Sequence, residues 1–196
     1  MVIGLTGGVG SGKSRILELL EEGYGARVIQ ADQVAARLEE PGQPGLLALV
    51  EAFGTGILDQ DGRLDRNAFA ARIFTDEEAL KQVNAIIHPL TWNAIQEQIR
   101  REARPLTVVE AALFQEESRR FCDHLVFVDV SRENRILRLM EGRGYTREKC
   151  LDIMNNQPDR ERFLALCDHV IDNNGSLEDT RAQVDRMMEG FTNETR

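Results

Sequence analysis

Hydrophobic positions along this 196-residue chain fall alternately into short unbroken runs and into stripes spaced three and four apart. Residues 2–6 (VIGLT) form such a run, stop at glycines, and read as a buried strand entering a loop. Over 13–22, Ile16, Leu17, Leu19 and Leu20 share one helical face. The run "ARVIQAD" predicts a second strand ending near Asp32, followed by Val34, Ala35 and Leu38 at helical spacing up to Pro41; Asp32 then takes the N-cap position. Short helices are predicted at 44–54 and 66–74, on either side of a polar turn, "DQDG", at 59–62. A longer stripe through Leu80, Val83, Ile87, Leu90 and Ala94 predicts an amphipathic helix over 76–103, bent or broken at Pro89 with His88 buried at the break. Strand runs return at 106–110, 125–130 and 168–172, separated by helical stretches, and a last helix is predicted at 176–190. Strands alternating with helices imply an α/β fold with a mostly parallel sheet.

The length favours one domain with insertions over two independent ones, and neither a repeat nor a linker-like tract divides the chain. No apolar run is long enough to cross a bilayer and no signal-peptide pattern opens the sequence, so a cytoplasmic protein without membrane partners is expected. Three cysteines (Cys122, Cys150, Cys167) without a CxxC spacing signal neither a disulfide framework nor a zinc site. A formal net charge of -9 argues against nucleic acid as a partner, because phosphate backbones require a basic surface. Positive charge is instead local. Of 24 basic residues 21 are arginine, and Arg132, Arg135, Arg138, Arg143, Arg147, Arg160 and Arg162 crowd into one stretch. Composition leaves two readings of that stretch: guanidinium forks for phosphate or carboxylate, or a solvated helix face paired with Glu133, Glu141 and Glu148.

The chemistry begins at "TGGVGSGKSR", residues 6–15, where Gly7, Gly12, Lys13 and Ser14 fit GxxxxGK[ST] between a predicted strand and a predicted helix. Glycines allow successive backbone N–H groups to turn onto phosphate oxygens, and the helix adds its positive end. On this reading Gly8, Gly10, Ser11, Gly12, Lys13, Ser14 and Arg15 contact ATP, Lys13 reaching the β and γ phosphates and the Ser14 hydroxyl holding Mg²⁺. A phosphate loop alone does not separate a kinase from a GTPase or a motor ATPase. In open α/β sheets the residues ending the other strands decide, here Asp32, Glu110, Asp129, Asn173 and Asn174.

The order and spacing of "LTGGVGSGKS" (5–14), "ADQVAAR" (31–37), "EPGQPGLLALVEAFG" (40–54), "DGRLDR" (61–66), "IIHPL" (86–90) and "CDHVIDNNGS" (167–176) resemble the dephospho-CoA kinases, over nearly the whole chain. That resemblance implies a three-layer P-loop kinase fold with a five-stranded parallel core (about 1–32, 105–131 and 166–190), a helical insertion for the CoA substrate (about 33–104) and a lid (about 132–165). It implies transfer of phosphate from ATP to the ribose 3′-hydroxyl of dephospho-CoA, with oligomeric state left open. Asp32 matches the family's general base, and it also approaches the metal through water. Glu110 corresponds to an acid that orients metal-bound water or merely ends a strand. Arg138 and Gln157 match the lid pattern. Gly142 stands where the family has a second lid arginine, and Arg143 is expected to substitute for it. Asn173, Asn174 and Gly175 are implied to lie beside the adenine, while the residues alone are equally read as an Asn-Gly turn with positive φ. Three further departures are Arg15 for a Thr or Ser, Gln30 for an Asp and Ala112 for a Pro. Two alternatives stay open: another P-loop kinase acting on a nucleoside monophosphate or small alcohol, and a nucleotide-binding regulatory module that has lost transfer activity.

Overall fold

In the computed structural model, which describes residues 1–74 and 76–194, the expected alternation produces a parallel sheet around β1 (Val2–Thr6). β2 (Arg27–Gln30), β3 (Thr107–Glu110), β4 (His124–Asp129) and β5 (His169–Asp172) complete it in the order β2-β3-β1-β4-β5. Register places Val2 opposite Thr107, Ile3 opposite His124 and Val126 opposite His169, all in parallel pairs. β1 therefore has partners on both sides, which requires an apolar strand; Ile3 and Leu5 are wholly buried.

The chain divides into two compact units, residues 1–28 with 104–196, and residues 29–103. In the first, α1 (Lys13–Tyr24) and α9 (Leu177–Glu194) bury Ile16, Leu20, Val184 and Phe191 in one core with Ile3, Leu5, Val126 and Val128. On β4 the intervening Phe127 stacks on Phe163, with centroids 4.8 Å apart. This alternation is the two-residue period of a strand covered on both faces. Helices α6 (Arg132–Arg143), α7 (Arg147–Asn155) and α8 (Arg160–Leu166) lie between β4 and β5 in sequence, and Ile136, Leu139, Cys150 and Met154 form a smaller core against Val9.

The second unit begins at the end of β2 and is otherwise helical: α2 (Ala31–Leu38), α3 (Pro44–Phe53), α4 (Arg66–Phe74) and α5 (Glu77–Arg101). Leu49, Ile57, Phe69 and Ile87 are its core. Two expectations are corrected here. α5 runs uninterrupted through Pro89, and His88 is exposed on it instead of buried at a break. Asp32 is not an N-cap: Gln30 takes that position, and Asp32 lies in the first turn of α2 with an exposed side chain.

Candidate active site

The loop between β1 and α1 holds its shape through its own backbone, with Ser11 N–H donating to Gly8 O (3.1 Å) and Arg15 N–H to Gly12 O (3.0 Å). Gly12 precedes α1 at φ 87°, where a side chain is strained, and a Cβ there would stand 2.4 Å from Asn173 Nδ2. Gly12 offers no side-chain cap, and the first turn of α1 contains no acid, so no side chain of the helix meets its positive end, an arrangement suited to an anion. Ser11 Oγ, buried in this loop, is without a hydrogen-bond partner among the described residues.

Lys13 Nζ donates to Gly7 O (2.8 Å) and lies 3.5 Å from Glu110 Oε1 at the end of β3; both side chains are mostly buried. The ammonium is thus held at the loop by one carbonyl and one carboxylate. Ser14 is exposed in the first turn of α1, whereas Arg15 runs along the helix and pairs with Glu18. Among the described residues no cluster of three His, Cys, Asp or Glu side chains could enclose a metal ion. One hydroxyl beside a phosphate loop nevertheless suits Mg²⁺, which is normally held by phosphate oxygens and water with few protein ligands.

Asn173, just beyond β5, ties three elements together. Its Nδ2 donates to Ser11 O (2.7 Å), its Oδ1 accepts from Thr180 Oγ1 (2.8 Å), and its N–H donates to Asp129 O (2.9 Å). Asn174 Oδ1 accepts from Ser131 N–H and Asn134 Nδ2, both at 2.9 Å. None of residues 173–175 has positive φ, so the expected positive-φ Asn-Gly turn is corrected to a bend at 174–175 with ordinary φ, and the Asn173 amide braces the phosphate loop. Arg138 joins this brace, Nη2 donating to Asn173 O (2.7 Å) and Nη1 to Ser11 O (3.3 Å).

Arg135, one turn earlier on α6, reaches the same loop. Its Nε donates to Val9 O (2.9 Å) and its Nη2 to Gln157 Oε1, which also accepts Val9 N–H (3.1 Å). Gln157 matches the lid pattern of the sequence and Arg135 does not; the signal for Arg135 is its three-residue step to Arg138, which sets both on one helical face. A cavity of about 570 Å³ opens beside these groups, lined among others by Gly8, Ser11, Asp129, Arg135, Gln157 and Arg160. The other arginines of this stretch differ. Arg147 is bidentate to Glu133 (2.8 and 2.9 Å) and Arg160 is 2.7 Å from Asp129. Arg143 ends α6 with an exposed side chain and has no hydrogen bond or ion pair among the described residues.

Asp32 belongs to the second unit, on a different body from the loop, lid and Asn173. Its neighbour Gln30 accepts from Gln33 Nε2. Cysteines play no part: Cys122 and Cys150 are buried and Cys167 is half-buried, and burial pushes the Cys122 and Cys167 thiols up to about 12, far from thiolate at neutral pH.

The family model for dephospho-CoA kinase matches residues 1–179. A dephospho-CoA kinase of Corynebacterium glutamicum is 41% identical over 193 residues, covering 95% of this chain and 94% of that protein. Among solved structures, a Thermus thermophilus protein superposes with a TM-score of 0.78 at 31% identity, over 100% of this chain and 98% of the other. A dephospho-CoA kinase of Campylobacter jejuni matches at TM-score 0.61 and 22% identity over 96% of each chain, a likeness of fold.

Proposed function

The chain belongs to the dephospho-CoA kinase family, and from that premise we propose that it transfers the γ-phosphoryl group of ATP to the ribose 3′-hydroxyl of dephospho-CoA, giving coenzyme A and ADP. The observation that carries this reading is the uncapped start of α1 beside Lys13, with Arg138 and Asn173 fixing the loop from behind. Loop N–H groups and Lys13 bind the β and γ phosphates, and Glu110 keeps the ammonium aimed at them. Mg²⁺, when bound at Ser14, neutralises charge on those phosphates.

The 3′-oxygen forms a bond to the γ-phosphorus as the bond from that phosphorus to the β–γ bridging oxygen breaks, and the hydroxyl proton passes to the Asp32 carboxylate. Phosphoryl transfer through a loose transition state needs little early proton abstraction, so orienting the hydroxyl is the larger part of that role. Asp32 is exposed and open to a substrate. The 29–103 unit that carries it is the natural binder of the CoA moiety. Arg138 stabilises the transferring group, and Arg143, exposed at the end of α6, is the second lid arginine expected to act with it. The adenine lies beside Asn173, Asn174 and Gly175 in this reading, and among the described residues no helix is long and apolar enough to cross a membrane.

An acceptor panel with radiolabelled ATP tests the proposal. Label is expected in coenzyme A with dephospho-CoA as acceptor. Transfer to AMP or shikimate but not to dephospho-CoA overturns it, and normal binding of both substrates without product at any Mg²⁺ concentration identifies a regulatory module instead.

A further inference from the structure

The lid arginines Arg132, Arg143 and Arg162 are exposed and their charge is met by water, whereas a half-buried guanidinium needs a counter-charge. Arg147 and Arg160 are neutralised by Glu133 and Asp129. Arg135 and Arg138 are not: their hydrogen bonds go to Val9 O, Gln157 Oε1, Ser11 O and Asn173 O, all uncharged acceptors. Both guanidinium groups are half-buried. An arginine stays protonated in proteins, and a charge withdrawn from water without a counter-ion is destabilising. Burial first, and then the Arg132 charge, pull the Arg135 pKa below the ordinary arginine value; the carboxylate that opposes this, Asp129, is itself held by Arg160.

Arg135 lies directly against the phosphate loop. A Cβ placed on Gly8 would stand 2.3 Å from Nη2, 2.5 Å from Cζ and 2.8 Å from Nη1, so the fork lies flat against the loop where it lines the cavity. Nη1 makes no hydrogen bond among the described residues and keeps its donors for a ligand. Gly142 has open space around it, and Arg143 is exposed at the end of α6.

We propose that Arg135 is a catalytic residue, the second guanidinium on the phosphoryl group in transfer, acting with Arg138 from one face of α6. This rests on the kinase reading above but not on the identity of the acceptor. Its bonds to Val9 and Gln157 pre-set the fork, so its donors meet developing charge without reorganisation. Gln157, which takes both Val9 N–H and Arg135 Nη2, is a positioning residue for it.

The test compares wild type with Arg135→Ala, Arg135→Gln and the exposed lid variant Arg162→Ala. Arg135→Gln can still donate to Val9 O but has no charge, which keeps the test valid if the alanine variant fails to fold. Turnover of both Arg135 variants is expected to fall about 100-fold, with ADP affinity within about threefold. Affinity for ADP with aluminium fluoride, a mimic of the transferring group, should fall in parallel with turnover, while Arg162→Ala follows wild type. Turnover of Arg135→Gln within threefold of wild type overturns the proposal. So does a loss matched by an equal loss of ADP affinity and melting temperature, the mark of a purely structural brace. A wild-type enzyme inactive on dephospho-CoA removes the acceptor assignment instead, and the ADP–aluminium fluoride measurement still decides Arg135.

Discussion

α1 begins differently from the helices of the lid. α6, α7 and α8 open on Ser131, Thr146 and Asp159, whose side chains accept from Asn134, Lys149 and Arg162 N–H, and each places a glutamate in its first turn. α5 does the same with Asp76 and two glutamates. α1 opens on Gly12 with neither cap nor acid. α3 also lacks a cap, but it starts on Pro44, which brings no N–H to satisfy. Helices that cap themselves are built for stability. α1 instead leaves its positive end without a side-chain cap or acid, beside a lysine and two guanidinium groups on uncharged acceptors, an arrangement suited to an anion.

The largest effect that can break this contrast is at the uncapped end. Lys13→Ala is expected to lower turnover by about three orders of magnitude; steady-state kinetics with undiminished activity would reduce the loop to a tight turn. Next comes Asp32→Asn. Asp32 is an acid in the first turn of α2, so it stabilises that helix dipole whatever else it does. Catalysis predicts about a 100-fold loss of turnover at unchanged ATP affinity; a shift in melting temperature alone would leave it a helix-end acid. Gly12→Ala forces a side chain into left-handed φ and onto the Asn173 amide, so ATP affinity measured by calorimetry should weaken about tenfold, in line with backbone strain of about 1–3 kcal/mol. The smallest effect belongs to the capped side. Thr146→Ala should cost about 1 kcal/mol of stability in denaturant titration and leave turnover within about twofold. A turnover loss there would erase the distinction between the two kinds of helix start.

Much of this was legible in the residues. VIGLT, the glycines and the stripe from Ile16 to Leu20 place strand, loop and α1 within two residues of where they lie, because local periodicity and glycine content act at short range. The same rules placed α5 within two residues but not its continuity at Pro89. Proline disfavours a helix interior, yet burial of Ile87, Thr91 and Ile95 along one face keeps the helix intact through Pro89. Asn173 and Asn174 also read locally as a positive-φ turn; the bend there keeps ordinary φ, and the partners that hold it, Ser11, Thr180 and Asn134, lie on other elements.

The sequence by itself determined that a phosphate loop opens an α/β fold, and its motifs named a family, since spacing within ten residues and the order of motifs are one-dimensional facts. Only the tertiary structure decided which of seven crowded arginines serve the loop. Helical spacing puts Arg135 and Arg138 on one face, but whether a guanidinium finds a carboxylate or a carbonyl depends on what other elements bring to it. Glu133 reaches Arg147, Asp129 reaches Arg160, and Val9, Ser11 and Asn173 offer Arg135 and Arg138 uncharged oxygens that orient a cation without neutralising it.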